Sequence, residues 1–161
     1  MKPSRVAEVL TRLLGGRWPV FVWGPPGAGK SSIVQHVAQA ERMRVIDIRA
    51  PLLDPTDLRG IPTVSDGSAR WCPPSFLPSE PEPGILFFDE LNAAPAMVQA
   101  SLYQLTLDRR VGEYVLPEGW RIVAAGNRAE DRAVVFRMPS TLARSPGRVD
   151  ASRTAWRTFS G

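Results

Sequence analysis

Three short stretches of the sequence contain residues that could bind and cleave a phosphate anhydride. The first is GPPGAGKS at residues 24–31, which fits the pattern G-x-x-x-x-G-K-[ST]. In this pattern the glycines let successive backbone N–H groups point at phosphate oxygens. The amine of Lys30 would reach the β- and γ-phosphates, and the hydroxyl of Ser31 would occupy one position on Mg²⁺. The stretch therefore predicts a phosphate cradle, and a glycine turn with an accidental lysine is the disfavoured alternative.

The other two stretches end apolar runs with polar side chains. ILFFDELN places Asp89 and Glu90 after a run without polar residues. Placing two carboxylates beside a buried run costs free energy, so their presence indicates a functional role. We expect Asp89 to hold Mg²⁺ through water and Glu90 to orient and activate an attacking water. The alternative is a strand end followed by an acid that favours a helix start. IVAAGN ends at Asn127, whose amide could bind the γ-phosphate or the water; the alternative is a turn asparagine.

Alternating strands and helices would bring these stretches together. PVFVW predicts a strand before the glycine-rich run, and an apolar stripe predicts a helix from Lys30 to about Glu41. RVIDI, ILFFD and RIVAA predict further strands, while the proline- and glycine-rich residues 50–84 predict loops with a short hairpin. Pro95 is predicted to begin a helix as its first residue. The order indicates an α/β fold with a mostly parallel sheet flanked by helices, whose carboxyl strand ends carry the site.

Length and composition indicate one soluble domain. The chain has 161 residues, of which 43% are apolar and 22% charged, so one core of ordinary composition is expected. Cys72 has no second cysteine to pair with, which excludes a disulfide within the chain and indicates a reducing compartment. No apolar run approaches the roughly 18 residues of a membrane span, and charges interrupt the N-terminal segment, so a cytoplasmic protein is predicted.

The positive charge is concentrated at one end of the chain. Residues 137–161 contain five arginines and one aspartate, which accounts for the whole net charge of +4. The remaining residues are neutral and show no basic groove with interleaved aromatics. A basic tail can attract polyanions nonspecifically, but no specific nucleic-acid partner is expected.

In their order along the chain, these motifs resemble the P-loop NTPase core of AAA+ ATPases, and more narrowly the MoxR type. The resemblance rests on GPPGAGKS, DLRGIP and the long stretch from FFDELN to FRMPS, and it covers about residues 5–142. The first motif is shared by many NTPases, whereas the long stretch is more specific. The resemblance implies an Mg-dependent ATP hydrolase that forms homo-oligomeric rings. Such rings remodel or mature protein clients, often proteins with a von Willebrand factor A domain.

The resemblance also implies roles for individual residues. Asp89 and Glu90 correspond to Walker B, Asn127 to the first sensor, and Lys30, Glu90 and Asn127 to the catalytic set. Ser31 and Asp89 would hold the metal. The residues that would bind ATP are Gly24, Pro25, Pro26, Gly27, Ala28, Gly29, Lys30, Ser31 and Ser32.

The sequence departs from the family pattern after residue 142. The Asn-Arg-Phe of the pattern, the strand after it and the helical lid are absent, and residues 143–161 are predicted to be a basic, disordered tail. Without the following strand, the edge of PVFVW would be unpaired. Without the arginine, turnover would be reduced, because an arginine finger is worth about 10³–10⁵ in rate. Two alternatives remain: an ATP-binding interaction module without significant hydrolysis, and a DNA-linked motor, which the neutral body of the chain disfavours.

Overall fold

The computed structural model of the chain describes residues 3–127 and 147–150. The helices are α1 (Pro3–Leu14), α2 (Lys30–Ala40) and α3 (Ala96–Asp108). The strands are β1 (Val20–Trp23), β2 (Arg44–Arg49), β3 (Ile61–Ser65), β4 (Ser68–Cys72), β5 (Gly84–Asp89), β6 (Arg110–Val111), β7 (Tyr114–Val115), β8 (Trp120–Gly126) and β9 (Gly147–Asp150). Five of them form one parallel sheet in the order β2-β5-β8-β1-β9. The predicted α/β fold with a mostly parallel sheet is confirmed.

Helices cover both faces of this sheet, which explains the apolar runs in the sequence. Ile85 and Phe87 of β5 pack in one cluster with α1 and α2, whereas Leu86 and Phe88 pack in the other with α3. All four side chains are fully buried. A strand buried on both faces has no polar alternation, which accounts for the apolar run in ILFFD.

The helix after ILFFDELN begins one residue later than predicted. Pro95 has the extended ψ of 148° and is the N-cap of α3, so the first helical residue is Ala96 and the prediction for Pro95 was wrong by one position. Val98, Leu102 and Leu105 of this helix are fully buried. Among the described residues, no helix is long and apolar enough to cross a membrane.

Strand β9 corrects the expectation that no strand follows residue 142. It pairs in parallel along the whole of β1, so the described structure leaves no unpaired edge there. Val149 is fully buried and joins the cluster with α1 and α2. The core therefore includes Val149 of β9. The predicted disordered tail at residues 143–146 and 151–161, and the end of the family pattern at residues 128–142, lie outside the described residues.

Strands β3 and β4 form the hairpin predicted within residues 50–84. All ten of their residues are exposed. Asp66 and Gly67 form the turn with φ angles of 53° and 74°, and two positive φ angles are what a two-residue hairpin turn with the twist of the strands requires. Gly60 at the base of the hairpin also has a positive φ, and a Cβ there would lie only 1.9 Å from the carbonyl oxygen of Cys72.

We expect Gly84→Ala to destabilise the fold. A Cβ at Gly84 would lie 2.6 Å from Cε3 and Cζ3 of Trp120, whose ring is fully buried and whose Nε1 donates a hydrogen bond to the carbonyl of Glu80. Because the ring is held in place, overpacking should lower the free energy of unfolding by about 1–3 kcal/mol, measured by urea denaturation. The control is Gly16→Ala, whose Cβ would meet only ordinary contacts from 3.4 Å outward. Equal urea midpoints for the two variants would contradict the expectation.

Candidate functional site

The loop between β1 and α2 holds the glycine-rich motif. Gly27 and Gly29 have φ angles of +75° and +72°, and a Cβ at either position would meet no atom within 4 Å. The left-handed backbone, rather than crowding, therefore requires glycine there. Gly29 is the N-cap of α2, so the N–H groups that begin the helix lie at the end of the loop, where they can bind an anion. Gly24 N donates to the carbonyl of Gly126, which ties the loop to β8.

Lys30 is the first residue of α2 and is only 7% exposed. Its Nζ donates hydrogen bonds to the carbonyl oxygens of Gly24 at 2.9 Å and Pro25 at 3.0 Å, and to Oδ1 of Asn127 at 2.8 Å. A buried ammonium needs such acceptors, because its desolvation is otherwise very costly. The structure thus brings the stretches GPPGAGKS and IVAAGN into direct contact.

The acid pair lies at the carboxyl end of β5. Ser31 Oγ donates to Asp89 Oδ2 at 2.8 Å, and Asp89 Oδ1 accepts from the backbone N–H of Glu90 at 2.9 Å. Glu90 has the left-handed φ of 54°, and its half-buried side chain makes no hydrogen bond or ion pair with the described residues. All three motif stretches therefore meet at one edge of the sheet, although their chemical roles stay predictions.

Asp47 adds a further carboxylate on β2, which sequence reasoning did not single out. Burial raises the pKa of Asp47, the charge of Asp89 raises it further, and the charge of Arg49 lowers it. The group thus lies within the field of the Ser31–Asp89 pair. Its signal in the sequence was an acid between the apolar residues Ile46 and Ile48 of RVIDI.

Two buried amides, Asn92 and Gln99, were also missed. Asn92 makes two hydrogen bonds with the main chain of Asn127, and Gln99 donates from Nε2 to the carbonyl of Ala94 at 2.9 Å. The side chains of Asn92 and Gln99 are 3% and 2% exposed. The available signal was the asparagine of DELN, a neutral polar residue two positions after Glu90.

The remaining predicted residues line or flank the loop. The carbonyl of Pro25 also accepts a hydrogen bond from Ala28 N at 3.2 Å, and Pro26 and Ser32 are exposed. His36 is exposed on α2.

The donor set suits magnesium together with a phosphate ligand. Ser31 offers a hydroxyl and Asp89 a carboxylate, and Mg²⁺ is commonly bound through one or two carboxylates, substrate phosphates and waters. Within residues 3–127 and 147–150, no group of three or more His, Cys, Asp or Glu side chains converges to hold a metal by itself. The site thus fits a metal that arrives with a nucleotide better than an all-protein cage.

The sequence of the chain matches a known family over most of its length. Residues 19–144 match the AAA domain, dynein-related subfamily. The chain belongs to this family. The AAA domain contains all three motif stretches described above, and the AAA+ part of the sequence-based resemblance is confirmed. No curated protein gives a significant match.

Several solved structures share the fold of this AAA domain. A RuvB mutant from Thermotoga maritima has a TM-score of 0.64 at 19% identity, over 93% of this chain and 46% of its own. A protein from Cytophaga hutchinsonii, proposed to be an ATPase, has a TM-score of 0.61 at 20% identity, over 92% and 49%. NtrX from Brucella abortus in complex with ATP has a TM-score of 0.61 at 17% identity, over 92% and 34%. The chain thus spans no more than about half the length of these proteins, and the likeness confirms the fold.

Proposed function

We propose that this AAA domain binds and hydrolyses Mg-ATP as a MoxR-type module that remodels or matures a partner protein. The observation that carries the proposal is the pair of contacts at the strand ends: Lys30 Nζ to Asn127 Oδ1, and Ser31 Oγ to Asp89 Oδ2. They join residues far apart in sequence into one group of phosphate- and metal-binding chemistry. The structure of NtrX with ATP, on a shared fold, supports ATP as the ligand.

Each residue of the site has a part in this proposal. The N–H groups of Gly27 and Gly29 and of the start of α2 bind the phosphates, and Lys30 neutralises the charge on the β- and γ-phosphates. Ser31 and Asp89 hold Mg²⁺, which neutralises charge that develops on the phosphate oxygens when it is bound. Glu90 orients the attacking water and accepts its proton.

The wider biology of the proposal rests on the order of the motifs. DLRGIP and the stretch from FFDELN to FRMPS support the MoxR type, and with it a cytoplasmic ring and a client that contains a von Willebrand factor A domain. No specific nucleic acid or membrane partner is included. The dynein-related subfamily match supports the coarser AAA assignment and leaves the branch as a proposal.

Calorimetric titration with ATP, in magnesium and in EDTA, tests the metal-binding part of the proposal. Ser31→Ala removes the hydroxyl that donates a hydrogen bond to Asp89. The factor by which magnesium raises the affinity for ATP should therefore fall by at least about tenfold, while the affinity for ATP in EDTA stays unchanged. Ser31→Thr keeps the hydroxyl and is the matched control. An undiminished magnesium effect in Ser31→Ala would contradict the assignment.

A further inference from the structure

Asn92 holds the main chain of one particular residue at both of its polar groups. It lies in a short 3-10 helix (Leu91–Ala93) directly after the acid pair. Its Oδ1 accepts from Asn127 N at 3.1 Å, and its Nδ2 donates to Asn127 O at 2.5 Å. A carboxamide that pairs with both the N–H and the C=O of one residue fixes the position and the rotation of that peptide segment.

The end of β8 is shaped to receive this amide. A Cβ at Gly126 would lie 2.9 Å from Oδ1 of Asn92 and 3.0 Å from a ring carbon of Trp23. Any side chain at Gly126 would therefore push the amide of Asn92 away from the strand. The absence of a side chain there gives the amide direct access to the backbone of Asn127.

Helix α3 supports Asn92 from the other side. Gln99 Nε2 donates to the carbonyls of Ala94 at 2.9 Å and Asn92 at 3.5 Å, and its Oε1 accepts from the hydroxyl of Tyr103 at 2.6 Å. Burial raises the pKa of Tyr103 to about 12, so this hydroxyl remains a donor at neutral pH. The segment that carries Asn92 is thus fixed by a chain of side-chain hydrogen bonds that is buried at Gln99 and half-buried at Tyr103.

We propose that Asn92 is a positioning residue that holds Asn127 where its side chain meets Lys30, and that it thereby gives the site its preference for a nucleoside triphosphate over a diphosphate. The inference rests on the proposed function and on the sequence-based expectation that the amide of Asn127 binds the γ-phosphate. Without Asn92, the backbone of Asn127 would lose its side-chain partner on both polar groups. The contact of Asn127 with Lys30 would then no longer be held at the position that the third phosphate occupies.

The first experiment compares the affinities of ATPγS and ADP in magnesium. In Asn92→Ala, we expect ATPγS to bind about tenfold more weakly, as is usual when a supporting residue is lost, with ADP affinity unchanged. Asn127→Ala should show the same selective loss, and the double variant should be no worse than Asn127→Ala alone. The control is Gln104→Ala on the exposed face of α3. Equal losses for both nucleotides, or additive losses in the double variant, would overturn the inference.

The second experiment needs no nucleotide and follows hydrogen exchange at the backbone N–H of Asn127. Asn92→Ala should speed that exchange, whereas the isosteric Asn92→Asp keeps the acceptor and should preserve protection. Asn92→Asp should still lose the preference for ATPγS, because its carboxylate faces the carbonyl of Asn127. If the wild type binds neither nucleotide, the proposed function fails; unchanged exchange in Asn92→Ala would separately show that Asn92 does not hold Asn127.

Discussion

Lys30→Met is expected to abolish the rise in melting temperature that Mg-ATP causes in the wild-type chain. The substitution keeps the aliphatic stem and removes the ammonium that donates to Gly24 O, Pro25 O and Asn127 Oδ1. Truncating one partner of a buried charged contact costs about 2–5 kcal/mol, so ATP affinity should fall by a factor of about 30 or more. A ligand that binds only the folded state raises its stability in proportion to the logarithm of one plus the ratio of ligand concentration to Kd, so this loss of affinity is visible as a missing thermal shift.

The matched control for Lys30→Met is a cation away from the site. Arg12 on α1 pairs with Glu8 at the surface, so Arg12→Met should leave the ATP-induced shift intact. Because Lys30 also satisfies two loop carbonyls, the ligand-free variant can melt at a lower temperature, and the shift is therefore measured against its own ligand-free protein. A thermal shift in Lys30→Met equal to that of the wild type would show that Lys30 does not bind the phosphates.

Glu90→Gln is expected to keep ATP binding and to lower single-turnover hydrolysis by about 10²–10⁴-fold. The two side chains have the same shape, but the amide cannot accept a proton from water. The backbone at Glu90 is left-handed, which either side chain tolerates equally, so the fold should not change. The measurement is phosphate release with enzyme in excess over ATP, together with the affinity for ATP.

Two further variants serve as comparisons for Glu90→Gln. Asp89→Asn should weaken the magnesium dependence as well as hydrolysis, because the carboxylate that accepts from Ser31 is lost. Glu41→Gln, an exposed acid beyond the end of α2, should change neither. Hydrolysis in Glu90→Gln at the wild-type rate would exclude Glu90 as the base. A wild type that binds ATP and releases no phosphate would favour the nucleotide-binding interaction module.

The parts of the site that the sequence predicted are those with a local signal. GPPGAGKS carries its own turn chemistry, and ILFFD is apolar throughout because the sheet is covered on both faces. Parallel strands present their carboxyl ends at one edge, so the segments after β1 and β8 meet there, and Lys30 contacts Asn127 although the two residues are 97 positions apart in sequence.

The parts that were missed depend on which elements become neighbours. Strand β9 contributes one described buried side chain, Val149, and a four-residue segment with a single apolar residue carries too little pattern to predict a strand. Pairing with β1 supplies the rest of its stability. The role of Asn92 likewise depends on β5 and β8 lying side by side, because the N–H and the carbonyl that its side chain bonds both belong to Asn127.

The exposed hairpin of β3 and β4 bears on how this domain can change during evolution. Neither strand contributes a buried side chain to the two hydrophobic clusters that pack against the sheet. The positive φ angles that the hairpin turn requires are supplied by its own two residues, Asp66 and Gly67. Loops that contribute nothing to a core tolerate insertions and substitutions far better than the elements they connect. Lineages of this domain can therefore lengthen, shorten or recharge residues 61–72 while the phosphate-binding edge of the sheet stays the same.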